Sequence, residues 1–151
     1  MKKAKRILLL IAFSAYAFIM LYLLFGMRSS RLFWAPDGYW QRFGESINPI
    51  PFQTIMEYAK KLGDKANGDA VINLFGNVIM FIPLGFFLPA VFPKTRPFRS
   101  CMLMTLVILA VIEFTQLVTL LGTLDIDDVI LNMAGAAMGY GVWRLLTLKK
   151  Q

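Results

Sequence analysis

Asn73 and Asn77, Glu113 and Gln116, and Asn132 interrupt stretches of the chain that are otherwise apolar, and Asp125, Asp127 and Asp128 crowd just ahead of the last stretch. An amide or carboxylate at mid-membrane depth costs roughly a few kcal/mol, so each such residue is a candidate for a functional site. Their spacing is helical. Asn73 and Asn77 are four residues apart, Glu113 and Gln116 three, and Asp128 and Asn132 four, so each pair shares one helix face. Three kinds of chemistry fit these side chains. Amides and carboxylates can hydrogen-bond a polar headgroup. Glu113 can serve as a general base. Asp125, Asp127 and Asp128 offer hard oxygen ligands of the kind that select a divalent cation such as Mg²⁺ or Ca²⁺.

Each group also has a purely structural use. Asn73 and Asn77 can act as amide glue between helices, and Glu113 can accept hydrogen bonds from those amides. Asp125 or Asp127 can cap the following helix and complement its dipole. Capping accounts for one or two carboxylates, not three. Glu113 lies roughly 13 Å from the nearer end of its run at 1.5 Å per residue. No basic residue sits at matching depth, so an ion pair there requires Arg28, Arg31 or Arg42 to reach in from a loop.

The elements that carry these residues are membrane spans. Of 151 residues, 58% are hydrophobic, and the mean hydropathy is +0.61. A soluble core of this size could not hide so much apolar surface. Four runs reach the ~20 residues needed to cross a bilayer, at about 7–26, 70–92, 101–122 and 128–148. The first is longer than the apolar core of a signal peptide and lacks a small-x-small cleavage site, so it reads as an anchor. Pro83 removes one hydrogen bond within the second run and is expected to bend it. Gly76 beside the Asn73 face, and Gly135, Ala136 and Gly139 in the fourth run, permit close helix approach.

Charge sets the expected orientation. Lys2, Lys3, Lys5 and Arg6 precede the first run, Lys94, Arg96 and Arg99 lie between the second and third, and Arg144, Lys149 and Lys150 end the fourth; none of these stretches holds an acid. The other two connections carry all the acids but Glu113. The positive-inside rule then places both termini in the cytoplasm and the aspartates at the outer leaflet. Within the long first outer connection, Phe52, Ile55, Met56, Ala59 and Leu62 recur at helical spacing, which predicts a short amphipathic helix lying on that leaflet or packed on the bundle. Asn48-Pro49-Ile50-Pro51 is the turn that leads into it. The expected architecture is an all-α integral membrane protein, one domain over 1–151.

Several function classes drop out. The net charge of +7 flanks apolar runs rather than covering a soluble face, so membrane lipids are the expected partner and nucleic acid is not. The single Cys101 allows no internal disulfide, and the absence of His removes the usual general base and zinc ligand. No phosphate loop, nucleophile elbow, heptad or transporter-type repeat is present.

Four blocks in fixed order carry a family resemblance: INPIPFQTI at 47–55, NLFGNVIMFIPLGFFLP at 73–89, IEFTQ at 112–116 and DIDDVILNMAGAAMGY at 125–140. Together they resemble the VanZ-like family. By position the resemblance singles out Asn73, Asn77, Pro83, Glu113, Gln116, Asp125, Asp128 and Asn132. Many relatives carry an Arg shortly before the aspartates, where this chain has Thr123 and Leu124. The resemblance implies a bacterial membrane protein of a family whose named member is associated with resistance to the lipoglycopeptide antibiotic teicoplanin. It implies no settled activity. The functional expectation is an outer-leaflet cleft, built from Asn73, Asn77, Glu113, Gln116, Asp125, Asp128 and Asn132, that holds a lipoglycopeptide or a cell-wall lipid precursor. The alternatives are a cation-assisted enzyme acting on a lipid headgroup and a non-catalytic scaffold.

Overall fold

The computed structural model describes residues 2–26, 38–61 and 68–148. It is 86% helical. Helix α1 spans Lys2–Leu21 and runs on into a π-turn at Tyr22–Gly26. Two short helices follow, α2 at Tyr39–Glu45 and α3 at Gln53–Lys61. Three long helices complete the chain: α4 at Gly68–Val91, α5 at Phe98–Thr119 and α6 at Ile126–Leu148. Among the described residues, four helices, over Lys3–Gly26, Asn73–Val91, Phe98–Thr119 and Ile126–Leu148, are long and apolar enough to cross a membrane.

The most intimate pair is α4 with α6. Gly85 of α4 lies against the backbone of Ala136, while Gly135 and Gly139 of α6 lie against the carbonyls of Val78 and Ile82. A Cβ at any of the three would overlap those oxygens. Without side chains between them the two backbones come into direct contact, which is how membrane helices associate when lipid removes the hydrophobic drive. Among the described residues nothing lies within 4 Å of a Cβ placed at Gly76, so none of them makes the close approach expected there.

Phe81, Leu84 and Leu88 of α4 and Leu109 and Ile112 of α5 form the buried core, and Met20 reaches it from α1. Tyr16 of α1 donates to the Met80 carbonyl at 2.9 Å. Elsewhere large apolar side chains such as Leu8, Phe18, Leu103, Phe114 and Leu145 point outward. Burial inside the four spanning windows runs only from 6% to 39%. In water such faces would aggregate; in lipid they are solvated.

The helical ladder of α4 continues through Pro83 and Pro89. The Gly85 carbonyl, whose ladder donor Pro89 lacks, instead faces the Cys101 thiol at 4.0 Å. Helix α5 starts and stops about three residues earlier than the expected 101–122. Leu120 turns left-handed at φ 53°, and the Gln116 carbonyl accepts from the Leu121 and Gly122 N–H groups, which closes the helix. The seven-residue α2 and a two-residue parallel pairing, β1 (Ile47–Asn48) with β2 (Leu124–Asp125), carry no strong periodic signal in the sequence.

Candidate functional site

The β1–β2 pairing brings two distant blocks together, matching Ile47 to Leu124 and Asn48 to Asp125. Around it the three aspartates separate into three tasks. Asp125 is the N-cap of α6: its Oδ1 accepts from the Asp127 N–H at 2.9 Å. Its other oxygen accepts from the Thr54 hydroxyl at 2.6 Å and the Asn48 amide at 3.3 Å, and that amide also donates to Thr54 at 2.9 Å. Asp127 is fully buried and caps a different helix. Its two oxygens accept from the N–H groups of Phe52 at 2.5 Å and Ile55 at 3.0 Å, at the start of α3. Asp128 accepts a hydrogen bond from the Asn77 amide of α4.

This division gives the three aspartates three different neighbours. Consecutive helix positions point about 100° apart, so Asp127 turns to α3 while Asp128 turns to α4. Asp125, ahead of the helix, faces Thr54. Among the described residues, no group of three or more His, Cys, Asp or Glu side chains could hold a metal ion.

Helix α3 packs on α4 and α6. Ile55 and Tyr58 are partly buried, while Phe52 and Met56 of the same predicted apolar face are 55% and 54% exposed. The helix therefore packs on the bundle and presents an apolar edge outward as well. Leu62, the last residue of that stripe, lies outside the described residues. Phe52 takes a left-handed φ of 65°, uncommon for a bulky residue, and the Asp127 carboxylate holds its N–H there.

The Asn73 amide donates to the Tyr58 hydroxyl at 3.2 Å. Tyr58 has its pKa raised above the usual phenol value, chiefly by burial and next by the negative charge of Asp128. Asn73, Asn77, Asp128 and Tyr58 thus form one cluster at the junction of α3, α4 and α6. One turn further along α6, Asn132 is buried, and among the described residues its Oδ1 has no hydrogen-bond partner. Tyr58, Thr54 and Asn48 were missed in the sequence because hydroxyls and amides in a polar connection give no burial signal.

Glu113 and Gln116 lie on the buried face of α5. Gln116 donates to the Leu24 carbonyl at 3.3 Å, tying α5 to the π-turn of α1. The hydrogen bonds of Asn73 and Asn77 described above run to Tyr58 and Asp128. Arg42 is exposed in α2, and Arg28 and Arg31 lie outside the described residues.

A family model for VanZ/LLP1 matches residues 13–147. The chain belongs to the VanZ/LLP1 family. The match takes in α1 from Phe13 onward, the clasp of α3 on the aspartate turn, and nearly all of α6. Neither the curated proteins nor the solved structures yield a match. In this VanZ/LLP1 chain the sequence blocks at 47–55 and 125–140 meet through Asp125 and Asp127, and the block at 73–89 joins them through Asn77 and Asp128. The block at 112–116 is anchored to α1 through Gln116.

Proposed function

We propose that this VanZ/LLP1 membrane protein is a bacterial cell-envelope component that binds the polar group of an amphiphile where α3 covers the α4–α6 seam. One observation carries the reading: Asn73, Asn77, Asp128 and Tyr58, from three elements, converge at the end of that seam. The cluster offers a carboxylate, two amides and a phenol, with the buried acceptor of Asn132 one turn deeper. A buried acceptor without a donor costs about 1–3 kcal/mol, which a hydroxyl, amide or ammonium group of a ligand would relieve. Glu113 supplies a second carboxylate on α5, and the exposed Phe52 and Met56 provide an apolar edge for an acyl chain. Such chemistry suits a lipoglycopeptide such as teicoplanin or a lipid-linked cell-wall precursor.

The orientation proposed with it places both termini in the cytoplasm and α3 at the outer leaflet. Ten of the sixteen Lys and Arg residues occupy the two termini and the α4–α5 connection, whereas eight of the nine acids lie in the other two connections or at the start of α6.

The test is complementation. Cells lacking their own copy receive the parent, Asp128→Asn, Asn77→Ala or Glu113→Gln at matched membrane levels, and teicoplanin susceptibility and envelope lipid composition are measured. Loss of the parent's effect in well-expressed, stably folded variants supports a binding site. Full activity in all three removes it, and a lowered melting temperature with function intact points to a scaffold.

A further inference from the structure

At the far end of α6, roughly 24 Å from Asp128 at 1.5 Å per residue, a cavity of about 530 Å³ opens between α1, α4, α6 and the α4–α5 connection. Lys5 of α1, Arg96 of the α4–α5 connection and Arg144 of α6 line it, over apolar walls that include Leu9, Phe86 and Trp143. The volume falls within the range of roughly 300–1,000 Å³ typical of small-molecule sites. Trp143 is buried, while the three cationic residues are exposed. No Asp or Glu occurs before Asp37, between Asp69 and Glu113, or after Asp128, so the stretches that line this cavity hold no acidic side chain.

Three like charges gathered on an apolar hollow, with no acid in the surrounding chain, create a strong local field for an anion. The rim is also fixed in place. Tyr140 donates to the Arg96 carbonyl at 2.7 Å, and the buried Thr95 closes a turn on the Phe92 carbonyl through its hydroxyl at 2.8 Å. The Tyr140 ring packs between Phe98 and Trp143, at 5.2 and 5.5 Å. A pre-set rim lowers the ordering cost of binding. Lys3, Lys94 and Arg99 also belong to this basic end but do not line the cavity, so the hollow is more specific than a general positive fringe.

We propose that the cavity is a binding site for a phosphate ester of net negative charge, with Lys5, Arg96 and Arg144 meeting the phosphate and Leu9, Phe86 and Trp143 meeting the carbon skeleton. Trp143 provides the probe. In the full chain in neutral detergent, Trp34→Phe and Trp40→Phe leave Trp143 as the sole tryptophan, and its fluorescence is followed during titration with short-chain phosphatidylglycerol, short-chain phosphatidylcholine or inorganic phosphate. Phosphatidylglycerol is expected to give a saturable change, and the Lys5→Gln/Arg96→Gln/Arg144→Gln variant to bind roughly tenfold or more weakly. The charge-matched Lys3→Gln/Lys94→Gln/Arg99→Gln variant is expected to bind as the parent does. Saturation by inorganic phosphate at the same concentrations upholds the phosphate site and assigns its ligand to the aqueous phase rather than the bilayer. Equal weakening in both triple variants overturns the proposal, as does equal binding of phosphatidylcholine. Should the first triple variant fail to fold, Arg144→Gln alone is titrated, and parental affinity in it overturns the proposal equally.

Discussion

Asp127 has no exposed surface, yet its carboxylate is well provided for, because two backbone N–H groups at the start of α3 point at its two oxygens. A helix start leaves its first N–H groups without partners within the helix, and here the cap comes from a residue more than seventy positions away. The sequence shows three acids ahead of a helix but not that only Asp125 caps that helix while Asp127 caps another. Replacing Asp127 by Ala removes the cap and is expected to lower stability by about 2 kcal/mol, the upper end for a lost N-cap. Asp127→Asn keeps one acceptor and should cost less. Thermal unfolding in detergent measures both, and parental stability in Asp127→Ala would show that α3 is held by its apolar contacts alone.

Among the elements, α4 and α6 set the frame on which everything else is placed. Their contact depends on Gly85, Gly135 and Gly139, each lying where a Cβ would strike the opposing backbone. Gly139→Ala must push the helices apart or fail to pack, and is expected to cost about 1–3 kcal/mol or more as overpacking. Gly76, on the same helix as Gly85 but with none of the described residues within 4 Å of its Cβ position, makes the control. Gly76→Ala should be neutral or stabilise by about 0.5–1 kcal/mol through the entropy of the unfolded chain. The melting temperature should fall in Gly139→Ala and hold or rise in Gly76→Ala; an unchanged or raised value in Gly139→Ala would mean that the seam is looser than the backbone contact implies. The small residues at 135, 136 and 139 were legible as a packing face, and Gly76 was misread. Both are glycines in apolar helices, and only the position of the neighbouring backbone separates them.

The whole molecule is polarised along its helices. Among the described residues, one end gathers Lys3, Lys5, Arg6, Lys94, Arg96, Arg99 and Arg144 without an acid, and the other gathers the aspartates, the clasp and α3. If the basic end faces the cytoplasm, an impermeant thiol reagent should label Gln53→Cys on intact cells and Lys3→Cys only after the membrane is opened. The background for both is Cys101→Ala, which removes the one native thiol, itself buried. Labelling of Lys3→Cys on intact cells would reverse the orientation and move the Asp128 cluster to the inner leaflet.

Four helices long and apolar enough to cross a bilayer, the charge asymmetry and the short list of polar intruders were legible in the sequence alone. Lipid is a uniform apolar solvent, so length, hydropathy and the placement of Lys and Arg carry most of the decision residue by residue. The division of labour among Asp125, Asp127 and Asp128 was decided only by the tertiary structure. The three side chains are chemically identical, and what distinguishes them is direction: a rotation of about 100° per helical residue sends Asp127 to the N–H groups of Phe52 and Ile55 and Asp128 to Asn77. Those partners are brought into reach by the α4–α6 backbone contact and the β1–β2 pairing, and contacts between segments so far apart in the chain leave no local pattern to read.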